Sequence, residues 1–268
     1  PYIVPAPYHD MYGPNSFLPV VRHPDELVDP HPVYAAFSGN VIGTAFKQDA
    51  VRDAALGAYM GLIKQIDDQM GVLFAHLRDS GQIDNTVIVI TSDHGDYLGD
   101  HWLGEKDLFH DPSVRVPMIV YDPSPEADAT RGTVNDALVE SIDLLPTFVD
   151  MAGGTPRYEW LEGRSLMPLI RGETPSDWRK YTISEYDFSI TPMAGRLDLV
   201  PKDARLFMVA DDRWKFMHAE GGFPPMLFDL QNDPHELNDL GRDPAYGAAL
   251  ADCYDRLFEW ARRSSQRT

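Results

Sequence analysis

An adjacent aspartate and histidine, followed thirteen residues after the aspartate by a lysine, are the side chains in this sequence whose types and spacing suit chemistry on an anion. Asp93 and His94 stand in "TSDHGDYLGDHW" (residues 91–102), directly behind the apolar run "TVIVI" (residues 86–90). An aspartate oxygen with an imidazole nitrogen is a common ligand pair for a divalent metal, and the imidazole favours Mn, Zn or Fe over Ca or Mg. Gly95 permits the sharp turn that lets both side chains face one point. Lys106, in "LGEKDLFHDPSVRVP" (residues 103–117), falls on a loop returning to the next strand, where an ammonium can meet the non-bridging oxygens of a tetrahedral anion held by a metal. Each residue also has a plain structural reading: Asp93 as a helix cap, His94 as a satisfied core histidine, Lys106 as a solvated surface lysine.

The elements that must position these groups follow from apolar spacing. Leu56, Tyr59, Ile63, Ile66, Met70, Leu73 and Leu77 recur at intervals of three or four, which predicts a helix over residues 49–77 with one buried stripe and Gly81 as its left-handed cap. "TVIVI" lacks polar alternation, as expected of a strand covered on both faces in a parallel sheet, and "VPMIVY" (residues 116–121) reads as a second such strand. "NDALVE" (residues 135–140) reads as a shorter third one. Helix followed by buried strand suggests a βαβ repeat, whose ligands collect beyond the carboxyl ends of the strands, where "SDHG" sits. "SIDLLPTFVDMAGG" (residues 141–154) reads as a helix capped by Ser141, with Pro146 in its first turns.

After about residue 175 the pattern changes to short strand-like runs, "YTISEYD", "RLFMVADD", "RWKFMHA" and "PMLFDLQNDP", with a tight hairpin at "DD". An amphipathic helix over residues 243–263 carries Leu250, Tyr254, Leu257, Phe258 and Ala261 on one side. The expected fold is α/β: a parallel or mixed sheet flanked by helices over residues 1–175, with the metal-site loop at 91–106, then a small antiparallel sheet with a covering helix over residues 176–268.

Composition narrows the partners. Forty-two acidic against 23 basic residues give a formal net charge of −19, which argues against nucleic acid or an anionic membrane surface and requires local cations for an anionic substrate. No apolar run is long enough to span a bilayer, so the chain reads as soluble, with cytoplasm the favoured compartment. Cys253 is the single cysteine, which leaves no internal disulfide and no cysteine-based zinc cage. The opening "PYIVPAPYHDMYGPNSFLPV" has no helix or strand period and reads as an internal connection, so an upstream part is expected.

The string from "TVIVITSDHG" through "KDLFHDPSVRVPMIVY" resembles the second metal-binding segment of the sulfatases within the alkaline phosphatase superfamily. "ALVESIDLLPTFVDMAGG" and "RWKFMHAEGGFPPMLFDLQNDPHELNDLGRDPAY" resemble the segments that follow it there, and the variants present are most similar to the phosphonate monoester hydrolase and phosphodiesterase branch. The resemblance implies an alkaline-phosphatase-like fold, Asp93 and His94 as ligands of a divalent metal (Mn or Ca), and Lys106 as a contact to the substrate's tetrahedral centre or leaving group. His101 is expected to line the pocket. Asp96 and Asp100 fit loop solvation or capping, His9 and His110 receive no chemistry, and Arg115 fits a structural ion pair. His218 and His235 lie in hairpin and turn contexts.

Relatives of this kind attack with a formylglycine made within a C/S-x-P/A-x-R motif; that motif does not occur here, since Cys253 precedes "YDR". The chain therefore resembles the C-terminal half of such an enzyme, expected to hydrolyse a small anionic ester (phosphonate monoester, phosphodiester or sulfate ester) and to form a homo-oligomer when complete. The half alone is expected to be inactive. The rival expectation is a non-catalytic module that serves in binding or assembly.

Overall fold

The computed structural model describes residues 2–265. They form two compact units, the first comprising residues through Thr86 together with His94–Pro117, the second Val87–Asp93 together with Met118 onward.

In the first unit, helix α1 (Pro32–Ser38) opens under a cap in which the His31 ring accepts the Val33 N–H, and α2 (Val41–Phe46) under one in which Asn40 accepts the Gly43 N–H. Helix α3 (Asp49–Asp79) follows and ends at Gly81, with φ of 70° as the spacing implies. Its buried face is not the expected one. The chain around Tyr8 and Tyr12 lies so close to α3 that a side-chain carbon on Gly61 or Gly57 would sit 2.5 or 3.0 Å from the Tyr8 or Tyr12 carbonyl oxygen. Burial therefore follows Arg52, Ala55, Gly57 and Gly61, while Ile63, Ile66 and Leu73 remain more than half exposed. Periodicity located the helix, but the choice of face went to the segment able to approach its glycines. Helix α4 (Asp111–Val114) closes this unit.

In the second unit, β1 (Ile88–Thr91) and β2 (Met118–Tyr121) pair antiparallel, Ile88 opposite Tyr121 and Thr91 opposite Met118. A parallel βαβ pairing was expected. The connection between the strands contains only a 3-10 turn and the four-residue α4, not a crossover helix of the length that parallel pairing needs. Both strands are half-buried rather than covered on both faces, and Ile119 is exposed. Residues 135–140 form no strand, because the Asn135 side chain accepts the Ala137 N–H (2.9 Å) in a local turn. Helix α5 (Leu144–Met151) follows a 3-10 turn capped by Glu140 rather than Ser141, with Asp143 accepting the Glu140 N–H at 2.8 Å.

Helix α6 (Met167–Ile170) precedes β3 (Thr182–Asp187), and α7 (Pro192–Arg196) precedes β4 (Arg205–Ala210), β5 (Trp214–Ala219) and β6 (Met226–Asp229), which with β3 make one antiparallel sheet in chain order. The β4–β5 hairpin closes at Asp211, whose N–H donates to the Trp214 carbonyl at 2.9 Å and whose carboxylate takes the Arg213 and Trp214 N–H groups. Helix α8 (Gly247–Ser265) covers this sheet as expected. Cys253 and Leu257 pack on Val209, Phe216 and Leu227, the buried Val, Leu and Phe side chains each contributing about 1.5–3 kcal/mol. The buried face lies slightly to one side of the expected stripe, so Phe258 is exposed. Two buried ion pairs brace this unit: Lys215 with Glu236 at 2.8 Å, and Arg179 with Asp143 and Glu140. Burial of Glu140 pushes its carboxyl above the usual carboxylate range despite Arg179 beside it.

Candidate active site

Asp93 follows β1 as an exposed residue, with the Ser92 hydroxyl 3.4 Å from its carboxylate. Beyond it the chain turns at Gly95, where only glycine fits: a side-chain carbon there would lie 1.9 Å from the Pro112 carbonyl oxygen. That approach places the Gly95 N–H 2.7 Å from the Ser113 carbonyl oxygen.

The geometry fixes the state of His94. Its Nδ1 is 2.7 Å from the Gly95 carbonyl oxygen, which can only accept, so Nδ1 carries the proton and Nε2 presents a lone pair. The Lys106 Nζ donates to that lone pair at 2.8 Å. Two of the residues expected in the site are thereby brought together, and the imidazole is held in the tautomer that binds a cation through Nε2, steadied by the carbonyl behind it as metal-ligating histidines usually are.

The loop between them is built from polar contacts. Asp96 accepts the Tyr2 hydroxyl (2.7 Å) and the Leu98 N–H (3.0 Å), and burial raises its carboxyl pKa. Asp100 accepts the Val21 N–H at 2.8 Å. Leu98, His101, Trp102 and Glu105 all adopt left-handed φ values between 46° and 60°, a conformation that is costly for residues with side chains. His101 does not line an open pocket: it is 1% exposed, its Nδ1 lies 2.7 Å from Glu26, and its ring stacks on His110 with centroids 4.2 Å apart. His110 in turn meets the buried Tyr97 hydroxyl at 2.9 Å. This Glu26, His101, His110 and Tyr97 assembly holds the loop. Only its histidines attracted notice in the sequence, because Glu26 is 75 residues from His101.

Arg115 pairs with Asp111 at 3.4 Å on the surface, matching the ion-pair reading. His9 is exposed beside Asp10. His218 belongs to an aromatic cluster with Phe207, Phe216 and Tyr254. Cys253 is buried and its thiol is pushed up to about 12, so it is no nucleophile at neutral pH. Among the described residues no group of three or more His, Cys, Asp or Glu side chains forms a metal cluster, and no helix is long and apolar enough to cross a membrane. Asp93 and His94 thus fit part of a divalent-metal shell by donor type, a carboxylate oxygen and a correctly protonated imidazole.

Helices combined with two antiparallel sheets match the mixed α/β fold of the alkaline-phosphatase-like sulfatases. Residues 23–154 match the sulfatase family model and residues 99–263 match the model described as N-sulphoglucosamine sulphohydrolase, C-terminal; the chain belongs to the sulfatase family of the alkaline phosphatase superfamily. It is 34% identical to a multifunctional alkaline phosphatase superfamily protein, PehA, of Trinickia caryophylli, over 100% of this chain and 54% of that protein. An arylsulfatase of Clostridium perfringens is 34% identical over 72% of this chain and 37% of its own length. The solved structure of the phosphonate monoester hydrolase SpPMH from Silicibacter pomeroyi superposes with a TM-score of 0.88 at 32% identity, covering 98% of this chain and 54% of that one. The chain spans about half the length of PehA and of SpPMH.

Proposed function

We propose that this chain contributes the Asp-His and lysine portion of a metal-dependent ester hydrolase acting on a phosphonate monoester, a phosphodiester or a sulfate ester. The observation that carries the reading is the His94 Nε2 lone pair, fixed by the Gly95 carbonyl and facing the Lys106 ammonium at 2.8 Å. A divalent ion, Mn or Ca, held by the Asp93 carboxylate and His94 Nε2 would supply Lewis-acid polarisation of the ester's tetrahedral group. Lys106, exposed at the loop surface, turns from Nε2 to the anionic oxygens of the ester and offsets the charge that develops on an equatorial or leaving oxygen. In a chain of net charge −19 a placed ammonium is the local attraction that an anionic substrate needs. His101, buried on Glu26, serves the loop rather than the substrate.

The likeness to PehA and to SpPMH supports the phosphonate and phosphodiester branch, and the likeness to an arylsulfatase keeps sulfate esters among the substrates. A small anionic ester is the expected partner, and assembly of copies of the complete protein is proposed with it. Two donors from one loop bind a divalent ion weakly, so the 268-residue chain by itself is expected to be inactive.

The test uses the protein purified from its source, stripped with a chelator and assayed against p-nitrophenyl phenylphosphonate, bis-p-nitrophenyl phosphate and p-nitrophenyl sulfate, before and after Mn or Ca is restored. Metal-restored hydrolysis of at least one ester is expected. Absence of turnover on all three with both ions would favour the non-catalytic module.

A further inference from the structure

We propose that Ser113 is a positioning residue that holds Lys106 against His94. The inference deepens the function proposed above and rests on reading His94 and Lys106 as one site. Eleven residues separate the two, and the intervening loop contains four side-chain-bearing residues in left-handed conformation, with only a three-residue 3-10 turn as regular structure. Such a loop does not by itself fix the distance between its ends.

Ser113 joins both ends. Its carbonyl oxygen accepts the N–H of Gly95, the residue after His94, at 2.7 Å, and its hydroxyl donates to the carbonyl oxygen of Lys106 itself at 2.7 Å. The residue is 3% exposed, so water does not replace either bond cheaply. Its own place is set from below: the Ser113 N–H donates to the His110 carbonyl at 2.9 Å, and the His110 N–H donates to the buried Tyr97 hydroxyl at 3.2 Å. Glycine at position 95 makes the close approach possible, because a side-chain carbon there would collide with Pro112, the neighbour of Ser113. One residue, through its backbone carbonyl and its hydroxyl, thus ties the backbone beneath the candidate ligand to the backbone beneath the candidate substrate cation.

Ser113→Ala removes the tie to Lys106 and keeps the backbone bond to Gly95, so Lys106 moves while His94 stays. A contact that strengthens only as charge develops on the ester is weakened by such a shift more than binding of the ground state. Two readouts in the intact protein test this. The first, taken with metal removed so that Nε2 is uncoordinated, is the 15N shift of His94 Nε2, which then reports the hydrogen bond from Lys106, with Lys106→Met giving the value when that bond is absent. Ser113→Ala is expected to move the shift toward the Lys106→Met value with the melting temperature lowered by only a few degrees, and Ser113→Thr, which retains the hydroxyl, to restore the wild-type value. A wild-type shift in Ser113→Ala overturns the proposal. Should that variant fail to fold, Ser113→Cys, similar in size but a weak donor, decides in the same way.

The second readout is hydrolysis of p-nitrophenyl phenylphosphonate. Ser113→Ala is expected to lower kcat about tenfold, the worth of roughly one buried hydrogen bond, with KM changed less than twofold. An unchanged kcat, or a loss carried wholly by KM, counts against positioning. If the wild-type protein hydrolyses none of the three esters, the proposed function fails, while the His94 shift still decides the role of Ser113.

Discussion

Two lysines in this chain hold their ammonium groups 2.8 Å from one acceptor, in opposite surroundings. Lys215, on β5, is 2% exposed and faces the equally buried Glu236 carboxylate. Lys106 stands exposed on a loop and faces a neutral imidazole nitrogen. A buried charge must keep its partner, because the desolvation cost of an orphaned ion exceeds anything the surroundings return. An exposed one resting on a neutral acceptor can leave for a better anion. The first arrangement suits a brace and the second suits a reagent.

Substitutions sharpen this contrast. The largest stability effect is expected for Lys215→Met, which strands Glu236 and costs about 3–5 kcal/mol, read as a lowered midpoint in urea. Replacing both partners, as in Lys215→Met with Glu236→Leu, should recover most of that loss, and failure to do so would show that the pair is more than a brace. Phe216→Ala in the core beneath α8 is expected to cost about 3–5 kcal/mol by the same measurement. Lys106→Met should reverse the pattern, with stability changed by less than ~0.5 kcal/mol and hydrolysis lowered about 10²- to 10³-fold.

A smaller effect is expected from pH. Burial lowers the His218 pKa below its ordinary 6.5, opposed by Glu220 at 4.0 Å, while the Tyr254 hydroxyl lies 3.3 Å from its ring. The neutral ring is the one the fold accepts, so its contribution is complete above pH 6.5 and is lost as pH falls through the lowered value. Thermal melts of wild type and His218→Gln across that window should converge as the pH drops. The smallest effect belongs to Arg115→Ala, within about 0.5 kcal/mol, since its pair with Asp111 is a surface contact.

The same contrast explains what could be read from the sequence. Where apolar burial dictates structure the reading succeeded: the four-stranded C-terminal sheet, the turn at Asp211 and Asp212, and the covering helix α8 follow from short apolar runs between turn residues. It failed where burial is shared with another segment or where polar groups decide. The stripe through Ile63, Ile66 and Leu73 has helical spacing but is not the face that α3 buries. An apolar run such as "TVIVI" does not record strand direction, which here follows from a connection without a crossover helix. In the candidate site Asp93, His94 and Lys106 were legible as residue types, and the structure brings His94 and Lys106 together. His101 shares a loop with the candidate ligands, which alone suggests the pocket, and no pattern in the sequence pairs it with Glu26. Ser113 was invisible for the same reason: a serine that donates to one carbonyl and lends another resembles any serine.

The most direct test of the central claim is Mn2+ binding by the protein purified from its source, followed by electron paramagnetic resonance of the free ion, in wild type, Asp93→Asn, His94→Ala and Lys106→Met. Each of the first two substitutions is expected to weaken binding at least about tenfold. Lys106→Met is expected to leave it unchanged or tighter, because the ammonium no longer competes for His94 Nε2. Equal affinity in wild type, Asp93→Asn and His94→Ala would contradict the account.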